Sequence, residues 1–277
     1  MKVNDHHIRQ VLSACYEPRE ASNISRILCQ EVLGQSPTDY YLGKDTELSA
    51  DEEEKFNTIL SRLLQGEPLQ YVQGVARFLM RSFRVTPAVL IPRPETEELV
   101  QLMLGQLTSD CRVLDVGTGS GCIAISLALE LKGAQVEAWD ISAQALQVAR
   151  DNATRLGAHV DFVLQDVFAC QMNEPLYDVI VSNPPYVCTS ERQYMSHQVL
   201  EWEPHEALFV PDEDPLVYYR QIGQLGLRLL RPQGRLYFEV NQALGADTQQ
   251  LLLALGYHDV RLYDDIYKNH RFVTACL

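Results

Sequence analysis

Val113-Leu114-Asp115-Val116-Gly117-Thr118-Gly119-Ser120-Gly121 reads as an apolar strand running into a glycine-rich turn, and residues 122–131 continue with helical composition. Glycines there let the backbone come close to a ligand at the carboxyl edge of a sheet, beside the positive end of the helix that follows. The spacing is Gly-x-Gly-x-Gly. A dinucleotide fingerprint would need glycine at position 122, where this chain has Cys122, so the turn favours S-adenosylmethionine over a nicotinamide cofactor. Asp115, Gly117, Thr118, Gly119, Ser120 and Gly121 are the first candidate cofactor residues, although Asp115 could serve only to tie down the turn.

Downstream, strand-like runs at 112–115, 136–140, 160–164, 179–182 and 235–240 alternate with helical stretches, the longest at 216–230. This alternation predicts an α/β domain, a mostly parallel sheet with helices on both faces. After a helix near 248–255, candidate strands 259–263 and 272–277 are joined by too short a link for a crossover helix, so they should form an antiparallel hairpin. Asp140 ends the second strand, where a carboxylate can accept from both hydroxyls of a ribose. Asp166 and Phe168 follow the third, placed to hold an adenine amino group and to lie against its ring. A helix cap and a core aromatic are their structural alternatives.

Asp178-Val179-Ile180-Val181-Ser182-Asn183-Pro184-Pro185-Tyr186 is the second informative stretch, a buried strand that delivers a stiff loop to the same sheet edge. Proline fixes φ, removes an N–H donor and biases the preceding residue towards an extended conformation, which leaves carbonyls free to accept. A planar NH2 group is a poor nucleophile because its lone pair is delocalised. If the Asn183 side-chain oxygen and the Pro184 carbonyl each accept one of its hydrogens, its nitrogen is held facing a methyl donor and no strong base is needed. Asn183, Pro184, Pro185 and Tyr186 are therefore the candidate substrate residues, with Asn183, Pro184 and Tyr186 catalytic and Asn183 also touching the cofactor. Tyr186 offers a flat face for stacking. The loop by itself does not distinguish a glutamine amide from an adenine.

Upstream, apolar residues recur at helical spacing (Ile8, Val11 and Leu12; Ile24, Ile27, Leu28 and Val32; Phe56, Ile59, Leu60, Leu63 and Leu64), which predicts a small helical domain over 1–75. Ser49 before Asp51-Glu52-Glu53 caps the third helix, and Gly66 with Pro68 ends it. Tyr71-Val72, Phe78-Leu79-Met80, Phe83-Arg84-Val85 and Val89-Leu90-Ile91 look strand-like, so 76–95 is expected to be a β-hairpin linker and 96–277 the catalytic domain.

Seven cysteines without a Cys-x-x-Cys pair suit free thiols in a reducing compartment, with no metal site. No apolar run approaches the length of a membrane span, and the polar N-terminus has no leader pattern, so a cytoplasmic location is expected. A net charge of −14 disfavours a phosphate backbone as partner.

Taken together, the helical N-terminal region, Pro68-Leu69-Gln70-Tyr71-Val72-Gln73-Gly74, Leu90-Ile91-Pro92-Arg93-Pro94-Glu95-Thr96-Glu97, the glycine turn, residues 182–186, Glu203-Pro204 and Ala207-Leu208 resemble the peptide chain release factor glutamine N5-methyltransferases of the PrmC/HemK family. The resemblance implies a seven-stranded class I, Rossmann-like S-adenosylmethionine-dependent methyltransferase domain that leaves S-adenosylhomocysteine as product. It implies as target the glutamine of the Gly-Gly-Gln motif in class-1 release factors, held by residues 183–186. The helical domain would help receive that partner, with no direct nucleic acid, no membrane and a monomeric enzyme expected. Arg93 and Glu97 fall in the segment that lines the family's site, although a linker ion pair and a helix-start charge are equally open to them. In Asp265-Ile266-Tyr267-Lys268-Asn269-His270-Arg271, Tyr267 stands where the family usually has glycine, which leaves the local turn and Arg271 open. The rival reading is a nucleic-acid amino methyltransferase acting on adenine N6 of DNA or guanine N2 of ribosomal RNA.

Overall fold

The computed structural model describes residues 2–277, which divide into two compact units: the chain through Gln73 together with His197–Trp202, and Gly74–Ser196 together with Glu203–Leu277.

The first unit is built on α1 (Asp5–Leu12), α2 (Pro18–Ile27), α3 (Pro37–Tyr41), α4 (Ala50–Leu64) and α5 (Leu69–Gln73), with two-residue strands β1 (Lys2–Val3) and β2 (Thr46–Glu47) paired antiparallel. Its core gathers Ile8, Leu12, Ile24, Leu28, Phe56, Leu60 and Leu63, largely the residues whose helical spacing announced it. The α4 start is a capping box in which Ser49 and Glu52 bond each other's backbone N–H. One expectation fails here, because Tyr71-Val72 is helix and not strand. Arg62 donates to the carbonyls of Tyr71 and Val72, both at 3.2 Å, which satisfies acceptors that the end of α5 leaves open. The buried Glu67 holds that guanidinium in place, its Oε2 accepting from Arg62 Nε at 2.7 Å.

The second unit opens with the antiparallel hairpin β3 (Val75–Phe78) and β4 (Arg81–Arg84), then α6 (Pro94–Leu104), β5 (Arg112–Val116), α7 (Cys122–Glu130), β6 (Gln135–Asp140), α8 (Ala143–Leu156), β7 (Asp161–Leu164) and β8 (Tyr177–Ser182). In chain order the two-residue strand β9 (Val187–Cys188) precedes α9 (His197–Trp202, in the first unit) and the two-residue strand β10 (Phe209–Val210) follows it, and α10 (Val217–Leu229), β11 (Leu230–Glu239), α11 (Gly245–Leu255), β12 (His258–Asp264) and β13 (His270–Cys276) complete the chain. The hairpin turns at Leu79 and Met80, which Phe78-Leu79-Met80 placed in a strand; both have left-handed φ, +45° and +62°. Such a turn normally announces itself as Asn-Gly, and this pair does not. Val89-Leu90-Ile91 also forms no strand, because the Ile91 N–H is taken by Glu203 Oε2 at 3.2 Å instead of by a ladder.

Seven strands form one sheet in the order β7-β6-β5-β8-β11-β13-β12. The first five are parallel, and β13 runs antiparallel between β11 and β12. Successive strand residues belong to opposite cores: Val113, Val179, Val181 and Tyr237 pack with α6 and α7, while Leu114, Ile180, Leu236 and Phe238 pack with α10 and α11. Burial on both faces explains why these strands read as continuous apolar runs. Chain order reverses between β5 and β8, and an α/β sheet opens its ligand crevice outside the carboxyl ends at such a point.

The hairpin is tied into the second unit by Asn152 of α8, a fully buried residue the sequence did not single out. Asn152 accepts from the Arg84 N–H at 2.6 Å and donates to the carbonyls of Arg84 and Ser120, both at 2.9 Å, so one amide ties β4 to the glycine turn. The β12–β13 turn closes without glycine at 267, because the left-handed position, φ +66°, falls on Lys268. Asp265 Oδ1 accepts the N–H groups of Tyr267 and Asn269, and Arg271 packs back onto the Val240 carbonyl. All seven cysteines are free thiols, and no helix among the described residues is long and apolar enough to cross a membrane.

Candidate active site

A cleft opens at the carboxyl edge where β5 and β8 lie side by side, walled by the glycine turn, the ends of β6 and β7 and the loop after β8. Gly117, Gly119 and Gly121 hold left-handed φ of +78°, +54° and +82°, which is what the sequence spends its glycines on. They do different jobs. Gly117 and Gly119 line the cleft, and a Cβ on either would meet no protein atom within 4 Å. Gly121 stands behind the wall, where a Cβ would lie 2.8 Å from Ile125 Cδ1 and 3.2 Å from Ala149 Cβ, so it serves helix packing.

Thr118 and Ser120 also line the cleft, whereas Asp115 lies beneath it, fully buried. Its Oδ2 accepts from Thr118 Oγ1 at 2.7 Å and the Ala124 N–H at 3.2 Å, its Oδ1 has no partner, and burial pushes its carboxyl up to about 7. Asp140 does reach the cleft, its two oxygens accepting from Gly119 N–H and Ser142 N–H, both at 2.9 Å. Burial raises its pKa, and each oxygen keeps a lone pair that a sugar hydroxyl could use.

Asp166 caps its own turn by accepting the Phe168 N–H at 2.8 Å, and its other oxygen remains open. Phe168, about half exposed, meets Tyr218 edge-on with ring centroids 5.3 Å apart, and Ile141 lines the same cleft with 66% of its surface exposed. An isoleucine directly after the strand-ending Asp140 is the trace of this slot in the sequence. The glycine turn with open room, a carboxylate with spare lone pairs and an apolar slot between Ile141 and Phe168 fit an adenosyl group carrying an amino-acid tail.

On the other wall stand Asn183, Pro184 and Pro185. Ser182 anchors the strand end by donating to the Val116 carbonyl at 2.7 Å, and Asn241 steadies the loop by donating to the Tyr186 carbonyl at 3.2 Å. Asn183 Nδ2 donates to Thr96 Oγ1 at 3.1 Å, and no donor among the described residues reaches its Oδ1. Tyr186 does not line the cleft. Its hydroxyl turns inward to donate to Glu239 Oε1 at 3.1 Å, and burial beside that carboxylate pushes the phenol far up, so it supplies no base.

Thr96 and Glu239 are buried members of this site that sequence reasoning missed as such. Burial pushes the Glu239 carboxyl up, opposed by hydrogen bonds from Thr96 and Tyr186 and by the charge of Arg271. Arg93 lines the cleft and pairs with the buried Glu203 at 2.6 Å, which joins two segments far apart in the chain. Glu97 is not among the lining residues.

Two family models match the chain: the PrmC N-terminal domain over residues 6–74 and the methyltransferase small domain over 95–208. A release factor glutamine methyltransferase of Bacteroides thetaiotaomicron is 50% identical over 97% of both chains, and one of Flavobacterium psychrophilum is 38% identical over 96% of this chain and 95% of its own. Among solved structures, a Pyrococcus furiosus methyltransferase superposes with a TM-score of 0.53 at 15% identity, covering 82% of this chain and 98% of that one. A Thermus thermophilus 16S ribosomal RNA methyltransferase, solved with S-adenosylmethionine and guanosine, gives 0.55 at 18% identity, covering 73% and 49%. These two share the fold. With near full-length identity to curated relatives and the N-terminal model in place, the chain belongs to the release factor glutamine methyltransferase family.

Proposed function

We propose that this chain transfers a methyl group from S-adenosylmethionine to the side-chain amide nitrogen of the glutamine in the Gly-Gly-Gln motif of class-1 peptide chain release factors. The observation that carries the reading is Asn183, whose nitrogen is spent on Thr96 while its oxygen is left without a donor beside Pro184 on the cleft wall. An acceptor pair there suits an NH2 group. The Asn183 oxygen and the Pro184 carbonyl each take one hydrogen, which points the nitrogen across the cleft. When bound, S-adenosylmethionine would supply a methyl group on a positively charged sulfur, open to in-line displacement that leaves S-adenosylhomocysteine, while the methylated nitrogen gives up one of its two hydrogens as a proton to water. Gly117, Gly119 and Asp140 hold its adenosyl and amino-acid parts, and Phe168 with Ile141 takes the ring. Pro185 stiffens the loop, and Tyr186 braces it from behind.

Residues 1–75 serve recognition of the protein partner, and the acidic chain, with a net charge of −14, works as a cytoplasmic monomer without direct contact to nucleic acid. The experiment is a competition in which purified enzyme and labelled S-adenosylmethionine are offered release factor, duplex DNA and ribosomal RNA, with peptide mass spectrometry to locate the methyl group. Label on the Gly-Gly-Gln glutamine supports the reading. Comparable labelling of either nucleic acid overturns it.

A further inference from the structure

Asn183 Nδ2 donates to Thr96 Oγ1 at 3.1 Å, Thr96 Oγ1 donates to Glu239 Oε2 at 2.7 Å, and Tyr186 donates to Glu239 Oε1 at 3.1 Å. Thr96 is 3% exposed and Glu239 1%, so no solvent relieves this chain. A hydroxyl carries one proton, an ionised carboxylate none, and an amide has donors at one end and acceptors at the other. Both hydroxyls that reach Glu239 donate to it, one to each carboxylate oxygen, so it serves as acceptor to Thr96 and to Tyr186. Thr96, its proton spent, can only accept from Asn183.

We propose that Glu239 and Thr96 are positioning residues that decide which end of the Asn183 amide faces the substrate: the carboxylate, acting through the threonine hydroxyl, holds the nitrogen back and so presents the oxygen to the incoming NH2 group. This rests on the reading of the cleft as the place where an amide nitrogen is methylated. A reversed amide would set donor against donor at the reacting nitrogen and leave the substrate's hydrogens without their acceptor. Burial disfavours the charged form of Glu239, and the hydrogen bonds from Thr96 and Tyr186 oppose that effect. Arg271 from β13 favours the charged form against Glu95 of α6, and Tyr219 of α10 donates to the Glu239 backbone oxygen at 3.2 Å.

The test compares Thr96→Val, which keeps the shape but removes the acceptor, with Thr96→Ser, which restores the hydroxyl. With release factor as substrate, Thr96→Val is expected to lose about 10²-fold in kcat, as for loss of one oriented polar contact, while both KM values stay roughly unchanged. Thr96→Ser should recover most of that rate. A Thr96→Val enzyme with wild-type kcat overturns the proposal, as does a Thr96→Ser enzyme no better than Thr96→Val. Neutron diffraction from deuterated wild-type crystals is the second arm and needs no activity or folded variant. Deuterons on the Asn183 nitrogen directed at Thr96, with the Thr96 deuteron directed at Glu239, are the expected result. A Thr96 deuteron directed at Asn183 overturns the relay. A wild-type enzyme that leaves release factor unmethylated refutes the proposed function and still lets the deuteron map decide the orientation.

Discussion

Gly119 and Gly121 have the same backbone hand but face different surroundings, and substituting each separates cofactor binding from folding. At Gly119, φ is +54° and the space beyond Cα is open cleft. Gly119→Val should therefore cost chiefly the left-handed penalty, about 1–2 kcal/mol, a fall in Tm of roughly 2–8 °C for a domain of this size. The valine methyls project where the ligand must lie, and crowding of about 1–3 kcal/mol weakens S-adenosylmethionine binding by roughly 5- to 150-fold. At Gly121 a Cβ falls 2.8 Å from Ile125 Cδ1 in addition to a φ of +82°. Gly121→Ala adds about 1–3 kcal/mol of overpacking to the same penalty, so it is the less stable protein. Thermal melts with titration calorimetry read both quantities. A folded Gly119→Val with unchanged affinity, or one less stable than Gly121→Ala, would refute the division of labour.

Three further perturbations follow from the same contacts. Glu203→Ala removes the partner of Arg93 and the acceptor of the Ile91 N–H, and urea unfolding should show a loss of about 1–3 kcal/mol. Asn152→Ala orphans the Arg84 N–H and two carbonyls; it should cost roughly 2–3 kcal/mol and speed amide exchange at Arg84, whereas unchanged exchange would mean the tie is idle. Asp115 keeps its proton in the folded protein up to about pH 7, against a reference of 3.8, so the folded state binds the extra proton between those values. Wild-type stability should fall by up to about 1.4 kcal/mol per pH unit from this group as pH rises from about 4 to about 7, then level off. Asp115→Asn should lack that slope, and equal pH profiles in denaturant titrations would contradict the assignment.

What could be read directly from the sequence were the parts of the site that one short segment completes by itself. The turn after Val116, Asp140 at a strand end and the loop 183–186 each carry their geometry in neighbouring residues. Thr96 and Glu239 gave no such sign, because they are 143 positions apart and become a pair only when α6 packs on β11. A glutamate directly after the apolar run Leu236-Tyr237-Phe238 was the one trace. Asn152 was silent for the same reason, since it satisfies a backbone group 68 residues away, and Glu203, visible only as part of a family segment, gave no sign that it takes the Ile91 N–H 112 residues away. Local misreadings have local causes. Leu79-Met80 makes a left-handed turn without glycine or asparagine, and Arg62 draws Tyr71-Val72 into a helix through their carbonyls. At Tyr267 the turn needs no glycine, because the left-handed position falls on Lys268.

In the proposed function, an oriented acceptor at Asn183, without a titrating base, makes an amide nitrogen reactive. Single-turnover methylation of release factor by Asn183→Ala, with cofactor and protein both saturating, measures it most directly. The rate should fall by about 10²- to 10³-fold with S-adenosylmethionine affinity nearly unchanged, and Asn183→Asp, which can still accept a hydrogen bond, should retain part of it. Transfer by Asn183→Ala at close to the wild-type rate would contradict the claim and place the acceptor elsewhere in the cleft.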